Sequence, residues 1–227
     1  MHFKRSFASI ALGLLSFAAL ASVSQAHASL LRPCVRGSPK VDICPSSGPA
    51  DYDLNSPIGT HDSKNLPLCK HTEEQGQRTI VRAGGKIETS YSVGAAHGGG
   101  HCQWALSYDK GKTWVVVKTL LRDCLKGVSN GGAYSVTVPI PKTAPNGKAT
   151  FMWLWNNAIG NREIYSNCAD IEIRGGSNGG KLAGMPLLIA NYGSDSLYIG
   201  EFPTADQDDK SEAFNKRKAI TITIPKN

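Results

Sequence analysis

"CQWALSYDKGKTWVVVKTL", residues 102–120, sets the frame for the whole chain. Trp104, Leu106 and Tyr108 alternate with smaller or polar neighbours, and a second apolar run covers 114–120. Between them, Asp109 to Lys112 supply turn chemistry. Strand side chains point to opposite faces in turn, so the pattern predicts a β-hairpin.

On the N-terminal side, "TIVRAGGKIETSYSV" (79–93) predicts two short strands about Gly84-Gly85. On the C-terminal side, "AYSVTVPIP" (133–141) alternates Tyr134, Val136 and Val138. "KATFMWLWNNA" (148–158) reads as a buried strand and "REIYSNCADIEIR" (162–174) as another. "MPLLIANYG" (185–193) and "AITITIPKN" (219–227) complete the set. No segment holds a helical period for long. Many short strands with frequent turns predict an all-β fold, an immunoglobulin/fibronectin-III-like β-sandwich with long loops. Residues 29–70, rich in Pro, Ser, Asp and Gly, predict a long irregular surface segment pinned by disulfides. "GGSNGG" (175–180) has linker composition, but the tail beyond it is too short to build its own core. Residues 27–227 are therefore expected to form a single domain.

The N-terminus is a leader by composition. His2, Lys4 and Arg5 make a polar, basic start, 10–23 is mostly apolar, and Ser24 and Ala26 occupy the −3 and −1 positions of a cut before His27. Residues 1–26 are expected to be a secretory signal peptide. The apolar run falls short of the roughly 18 residues that span a bilayer, so a secreted, extracellular protein without a membrane partner is expected. Ala26 and Ala28 also satisfy the small-residue rule, and that rival cut would leave Ser29 first. All six cysteines, Cys34, Cys44, Cys69, Cys102, Cys124 and Cys168, lie after the leader. An even count without a CxxC pair, in a secreted chain, predicts three disulfides rather than a zinc cluster. The formal charge of +7 is spread along the sequence. With no arginine-rich helix or recognition motif, nucleic acid is not an expected partner.

Two stretches carry chemistry. In "GAAHGGGHCQWALSYDKGKTW" (94–114), three glycines after His97 let the backbone bend beside its imidazole. His101 stands four residues on. A lone loop histidine is by itself an ordinary solvated side chain. In "WLWNNAIGNREIYSNCADIEI" (153–173), Glu163, Tyr165, Asn167, Ala169, Ile171 and Ile173 share one strand face. Ile171 and Ile173 turn that face inward, which places Glu163 and Tyr165 together near its upper end. Such a pair reads equally as a structural hydrogen bond or as part of a site.

A leader ending at a histidine, then "AAHGGGHCQ", then "GNREIYSNCA", resembles the lytic polysaccharide monooxygenases, specifically auxiliary activity family eleven. The resemblance is dense over 83–173 and thin over 29–68. It implies a copper-dependent oxidoreductase that cleaves glycosidic bonds in chitin or a related polysaccharide. His27, by its amine and one ring nitrogen, and His97 match the three-nitrogen histidine brace. Tyr165 matches the axial tyrosine, Glu163 the carboxylate beside the metal, and Ala95 the small residue near the axial position. It also implies Cys69–Cys168 and Cys102–Cys124, with Cys34–Cys44 as the remaining pair. An external electron donor and O2 or H2O2 would be co-reactants, and a monomer is expected. His101 and Asn156 depart from the family's usual serine and aromatic.

Three nitrogens suit copper, which stands at the top of the divalent affinity order; zinc would fit but has no redox couple. Asp and Glu form no distinctive pair of the kind glycoside hydrolysis needs. The alternatives are a non-catalytic copper-binding or scavenging protein with the same brace, and a carbohydrate-binding module. His61, His71, Tyr52 and His101 are candidates for facing substrate.

Overall fold

The computed structural model describes residues 27–40, 42–44, 49–75 and 77–226; the expected leader, 1–26, lies outside them. Among the described residues, twelve strands and one five-residue helix occur in this order: β1 (Ala28–Arg32), β2 (Gly59–Thr60), β3 (Ser63–Lys64), β4 (Thr79–Arg82), β5 (Lys86–Val93), β6 (Gly100–Ser107), β7 (Val115–Leu120), β8 (Tyr134–Pro139), β9 (Gly147–Asn157), β10 (Glu163–Arg174), β11 (Gly180–Pro186), α1 (Ser211–Asn215) and β12 (Ile220–Ile224). They form two sheets. The smaller runs β1-β5-β8; the larger runs β12-β11-β7-β6-β9-β10-β2-β3, with β4 also pairing β10. These strands pair antiparallel except β4 with β10. This is the expected β-sandwich, and the hairpin read from 102–120 is β6 paired with β7.

The small sheet shows clean alternation. On β5, Ile87, Thr89, Tyr91 and Val93 are buried while Glu88 and Ser92 are exposed, as expected of a sheet with one face on the core. Tyr91, Trp104, Phe151, Trp153, Trp155, Tyr165, Ile171 and Ile173 fill the space between the sheets. Trp104 Nε1 donates to the Tyr91 hydroxyl at 2.7 Å, satisfying both polar atoms across the interface. Burial pushes the Tyr91 phenol well above the ordinary tyrosine range.

The central strands of the large sheet are buried on both faces. Ala105, Met152, Leu154, Ile164 and Cys168 face away from the small sheet and form a second core with Ile58, Trp114 and the flanking Leu68, Leu187 and Ile189. The segment expected to be an irregular surface loop, 29–70, contributes to both cores, Leu30, Val35 and Leu54 to the first and Ile58 and Leu68 to the second. Leu30, Val35, Leu54 and Ile58 are buried, β1 belongs to the small sheet, and β2 and β3 extend the large one. Its polar composition hides its role because its apolar residues are spaced singly, without a period. The strand expected over 185–193 is also displaced: β11 ends at Pro186, and the residues after it pack as irregular cover on the second core. The sequence of β11, "GKLAGMP", lacks the β-branched run that marks a strand.

Three disulfides join Cys34 to Cys44, Cys69 to Cys168 and Cys102 to Cys124. Cys69–Cys168 clamps the covering segment onto β10. Close by, Arg36 reaches both carboxylate oxygens of Asp170, at 3.1 and 2.6 Å, and Asp170 also accepts from the Gln75 N–H at 2.6 Å. Both ionic side chains are essentially out of water, so each depends on the other. Asp170→Ala, which leaves the Arg36 guanidinium buried without its partner, is expected to lower unfolding stability by about 3–5 kcal/mol; urea denaturation of purified protein checks this.

Candidate metal centre

Three elements converge at one end of the sandwich. His27 immediately precedes β1, and its carbonyl accepts the N–H groups of Gly94 at 2.6 Å and Ala95 at 3.3 Å. β1 is pinned again at Leu30, whose N–H donates to Asn167 Oδ1 at 2.8 Å, while Asn167 Nδ2 donates to the Leu54 carbonyl at 3.2 Å. One amide side chain thus ties the strand behind His27 to β10, the strand that carries Glu163 and Tyr165.

His97 sits on the loop from β5 to β6, which crosses between the sheets. From His97 to Gly100 the backbone keeps positive φ, at 47°, 68°, 102° and 152°. A side chain at Gly100 would collide with the Asn156 carbonyl and the Trp155 indole, so glycine is required there. The tight bend turns the His97 ring back toward β10. Its Nε2 is buried, has no hydrogen-bond partner among the described residues, and lies 3.8 Å from Glu163 Oε2. Burial holds the imidazole below its ordinary pKa, with the Glu163 charge opposing and the His27 charge reinforcing. The ring is neutral at pH 7, and a lone pair is free.

Glu163 is the first residue of β10. Its Oε2 accepts the Tyr165 hydroxyl at 2.7 Å and Asn157 Nδ2 at 3.5 Å, and Asn161 Nδ2 lies 3.4 Å from Oε1. Burial raises the Tyr165 phenol far above its usual value, and the Glu163 carboxylate raises it further; the proton stays on Tyr165. Trp155 backs the group, its ring 4.7 Å from Tyr165 and 5.9 Å from His97.

Arg162, whose type marks it as an ion-pair former, acts here as a clamp on the backbone. Its guanidinium donates to the carbonyls of Asn157 at 3.1 Å, Gly160 at 2.7 Å and Gly200 at 3.1 Å. These bonds lock the turn between β9 and β10 to the segment at 197–202. Backbone clamps of this kind have no signature in a single sequence.

His101 lies apart from this group. It points into the outer face, stacked 4.7 Å from Phe202. Its Nδ1 accepts the Arg122 N–H at 3.0 Å and its Nε2 donates to the Asp209 carbonyl at 2.8 Å. Asn156 also faces outward, donating to the Ala190 carbonyl at 2.7 Å. His71 bonds Asp51 at 2.7 Å, and Tyr52, next to Asp51 in the chain, is exposed. His61 caps the β2–β3 hairpin beside Arg162, its N–H on the Arg162 carbonyl at 2.9 Å.

Among the described residues no three His, Cys, Asp or Glu side chains gather as a metal site. Two imidazoles and a backbone nitrogen fall outside that pattern. The orphaned Nε2 of His97, a buried acceptor that no protein group satisfies, is what a metal ligand looks like without its ion. The donors also fit copper, being imidazole nitrogens with a phenol at the side.

The His97 imidazole thus faces a partly buried carboxylate–phenol pair at the end of a β-sandwich. No family model matches the sequence. The AA11 family lytic polysaccharide monooxygenase A of Aspergillus fumigatus (strain CBS 144.89 / FGSC A1163 / CEA10) is 35% identical over 199 residues, 82% of this chain and 81% of that relative. The AA11 family lytic polysaccharide monooxygenase B of Aspergillus fumigatus (strain ATCC MYA-4609 / CBS 101355 / FGSC A1100 / Af293) is 34% identical over 145 residues, 57% of this chain and 34% of that relative. A cellulose-active polysaccharide monooxygenase from M. thermophila is a distant structural likeness, with TM-score 0.45 and 14% identity over 58% of this chain and 68% of that one. The chain belongs to the AA11 family of lytic polysaccharide monooxygenases, copper-dependent oxidoreductases.

Gly160 tests how tightly the His97 ring is held. It has φ +94°, and an added Cβ would lie 3.0 Å from His97 Nδ1. Gly160→Ala is expected to weaken copper binding about tenfold or more, the usual cost of disturbing a group that orients a ligand; isothermal titration with Cu(II) measures it.

Proposed function

We propose that the protein is a secreted monooxygenase that breaks glycosidic bonds in chitin or a related polysaccharide. In this reading residues 1–26 are a signal peptide, 27–227 are one domain, and cleavage frees the His27 amine. His27, through that amine and its ring, and His97, through Nε2, hold the copper, with Tyr165 at its side. Bound copper would supply one-electron chemistry, with an external reductant as the electron source and O2 or H2O2 as the oxidant of a sugar carbon. The observation that carries the reading is the buried, unpartnered Nε2 of His97 set 3.8 Å from the Glu163 carboxylate.

The protein's own groups have separable tasks. His97 is kept neutral by burial, so its nitrogen is ready without losing a proton. Glu163 Oε2 accepts the Tyr165 hydroxyl and faces the His97 ring, where it can take a proton from, or return one to, a small co-substrate. The bound proton of Tyr165 and its packing against Trp155 keep that side covered. A copper carrier has no use for a carboxylate placed in this way, which favours the enzyme over the scavenger.

Copper-loaded mature protein with ascorbate is expected to release aldonic acids or 4-ketosugars from chitin, identified by mass spectrometry alongside cellulose and pectin. N-terminal sequencing of secreted material should begin at His27. Protein retaining one extra residue before His27 should lose both the tight cupric signal in electron paramagnetic resonance and the products. Glu163→Gln should keep copper but lower turnover by about 100-fold, within the range for loss of a positioned proton donor or acceptor. Copper-loaded protein that oxidises none of the three polymers overturns the proposal.

A further inference from the structure

Positive charge that is scattered along the sequence gathers, in the fold, at the end of the sandwich away from the metal centre. Glu163 opens β10, and Glu172, nine residues further along that strand, pairs with Lys148 at the start of β9. At about 3.3 Å per strand residue, Lys148 lies about 30 Å from the carboxylate beside His97. Other cations reach the same end from separate parts of the chain. Arg82 closes β4 in register with Arg174, the last residue of β10. Lys110 sits in the turn from β6 to β7, and Lys226 follows β12. All five side chains are exposed.

Two hollows cut into this end and meet. One, of about 290 Å³, is lined by Arg78, Lys110 and Lys148, with Ser107 and Thr150 among its polar groups. The other, of about 400 Å³, runs past Tyr108 and the same Lys148 to Ile224 and Pro225. Because they share Tyr108 and Lys148, they form one furrow. The acidic groups in and beside it are already taken. Glu74 accepts from Arg78 at 2.5 Å and Glu172 from Arg174 at 2.7 Å. Asp109 is held within its own turn by Ser107 Oγ at 2.7 Å and the Thr113 N–H at 2.8 Å. The Lys110 and Lys148 ammoniums make no ion pair or hydrogen bond among the described residues. A single exposed lysine is ordinary. Cations without counter-charges, set along one concave path, focus a positive potential there.

We propose that this distal furrow binds a linear acidic polysaccharide, with its carboxylates on Lys110 and Lys148. The choice of occupant rests on the functional reading above, which sets the protein among polysaccharides. A furrow suits an extended chain better than a flat lipid surface. Lysine ammoniums neutralise charge as points, without the forked donors that fit a phosphate. The guanidinium in the lining, Arg78, spends its donors on Glu74 and on the Ile171 carbonyl at 3.3 Å. The Tyr108 hydroxyl is tied to the Pro145 carbonyl at 2.7 Å, and the lining offers no row of aromatic rings on which bases would stack. An acidic chain held here leaves the metal-bearing end open. It is therefore an anchor, and not the chain that is oxidised.

The test titrates polygalacturonate into copper-loaded mature protein by calorimetry, at low and at high salt, with the fully methyl-esterified polymer as its neutral counterpart. The parent should bind the acid form, lose it at high salt and ignore the ester. Lys148→Gln should bind about threefold more weakly, and Lys110→Gln combined with Lys148→Gln about tenfold. Lys216→Gln, which removes one exposed charge just beyond α1, should bind as the parent does. Equal binding of the ester overturns the furrow, as does a double variant that binds like the parent. So does a loss in Lys216→Gln as large as that in Lys148→Gln, which would mark a response to net charge alone. Phosphatidylserine vesicles or duplex DNA captured through the two lysines, with polygalacturonate left unbound, would overturn the occupant. If polygalacturonate binds through the lysines but the parent oxidises no polymer, the furrow stands and the enzymatic reading fails. If the parent oxidises chitin but does not bind polygalacturonate, the enzymatic reading stands and the furrow fails.

Discussion

The His27 carbonyl, held by the Gly94 and Ala95 N–H groups, is the backbone contact that makes the site possible. It joins the start of β1 to the loop that carries His97 three residues on. Each such bond contributes only about 0.5–1.5 kcal/mol net. Its effect is geometric rather than energetic, because it fixes the backbone of His27 against the loop that carries His97. The β1–β5 ladder continues the tether along the strand, and Asn167 links it sideways to β10. Ordinary sandwich hydrogen bonding therefore brings the start of β1, the His97 loop and the start of β10 to one place.

Around that frame, burial sets the charge state of each group. The same cause, removal from water, lowers the His97 imidazole and raises the Tyr165 phenol, and Glu163 lies between them. Few partners compete for the carboxylate: a phenol and two asparagine amides. The Arg162 guanidinium, next in sequence, spends its donors on backbone carbonyls instead of on Glu163. That division of labour keeps a carboxylate available at the centre while the loops around it stay rigid.

The sandwich is legible in the sequence where strands carry alternating or β-rich runs, as β5, β8, β9, β10 and β12 do. It is not legible in 29–70, where buried residues such as Leu30, Val35 and Ile58 are separated by polar and turn residues and show no period. Nor does β11 announce itself, being a strand of glycine, lysine and alanine held by its neighbours. Two-faced burial of β6, β9 and β10 is hidden for a related reason: what covers them comes from distant, irregular segments. At the site, strand period alone places Glu163 and Tyr165 on one face. His101 stands out in the sequence by its type, yet in the fold it is an interior hydrogen-bonding group. Arg162 acts through tertiary position, which period and composition do not encode.

The small hairpin of β2 and β3 has a consequence for how such surfaces diversify. Its base is committed twice, with Ile58 in the outer core and Thr60 paired to Glu163, while only His61 and Asp62 form the tip. Lengthening the stem would drag a core residue out of place or shift the carboxylate. The hairpin therefore has little freedom to change except at those two apical positions. Variation in this hairpin should thus accumulate as substitutions at the apex, not as insertions below it.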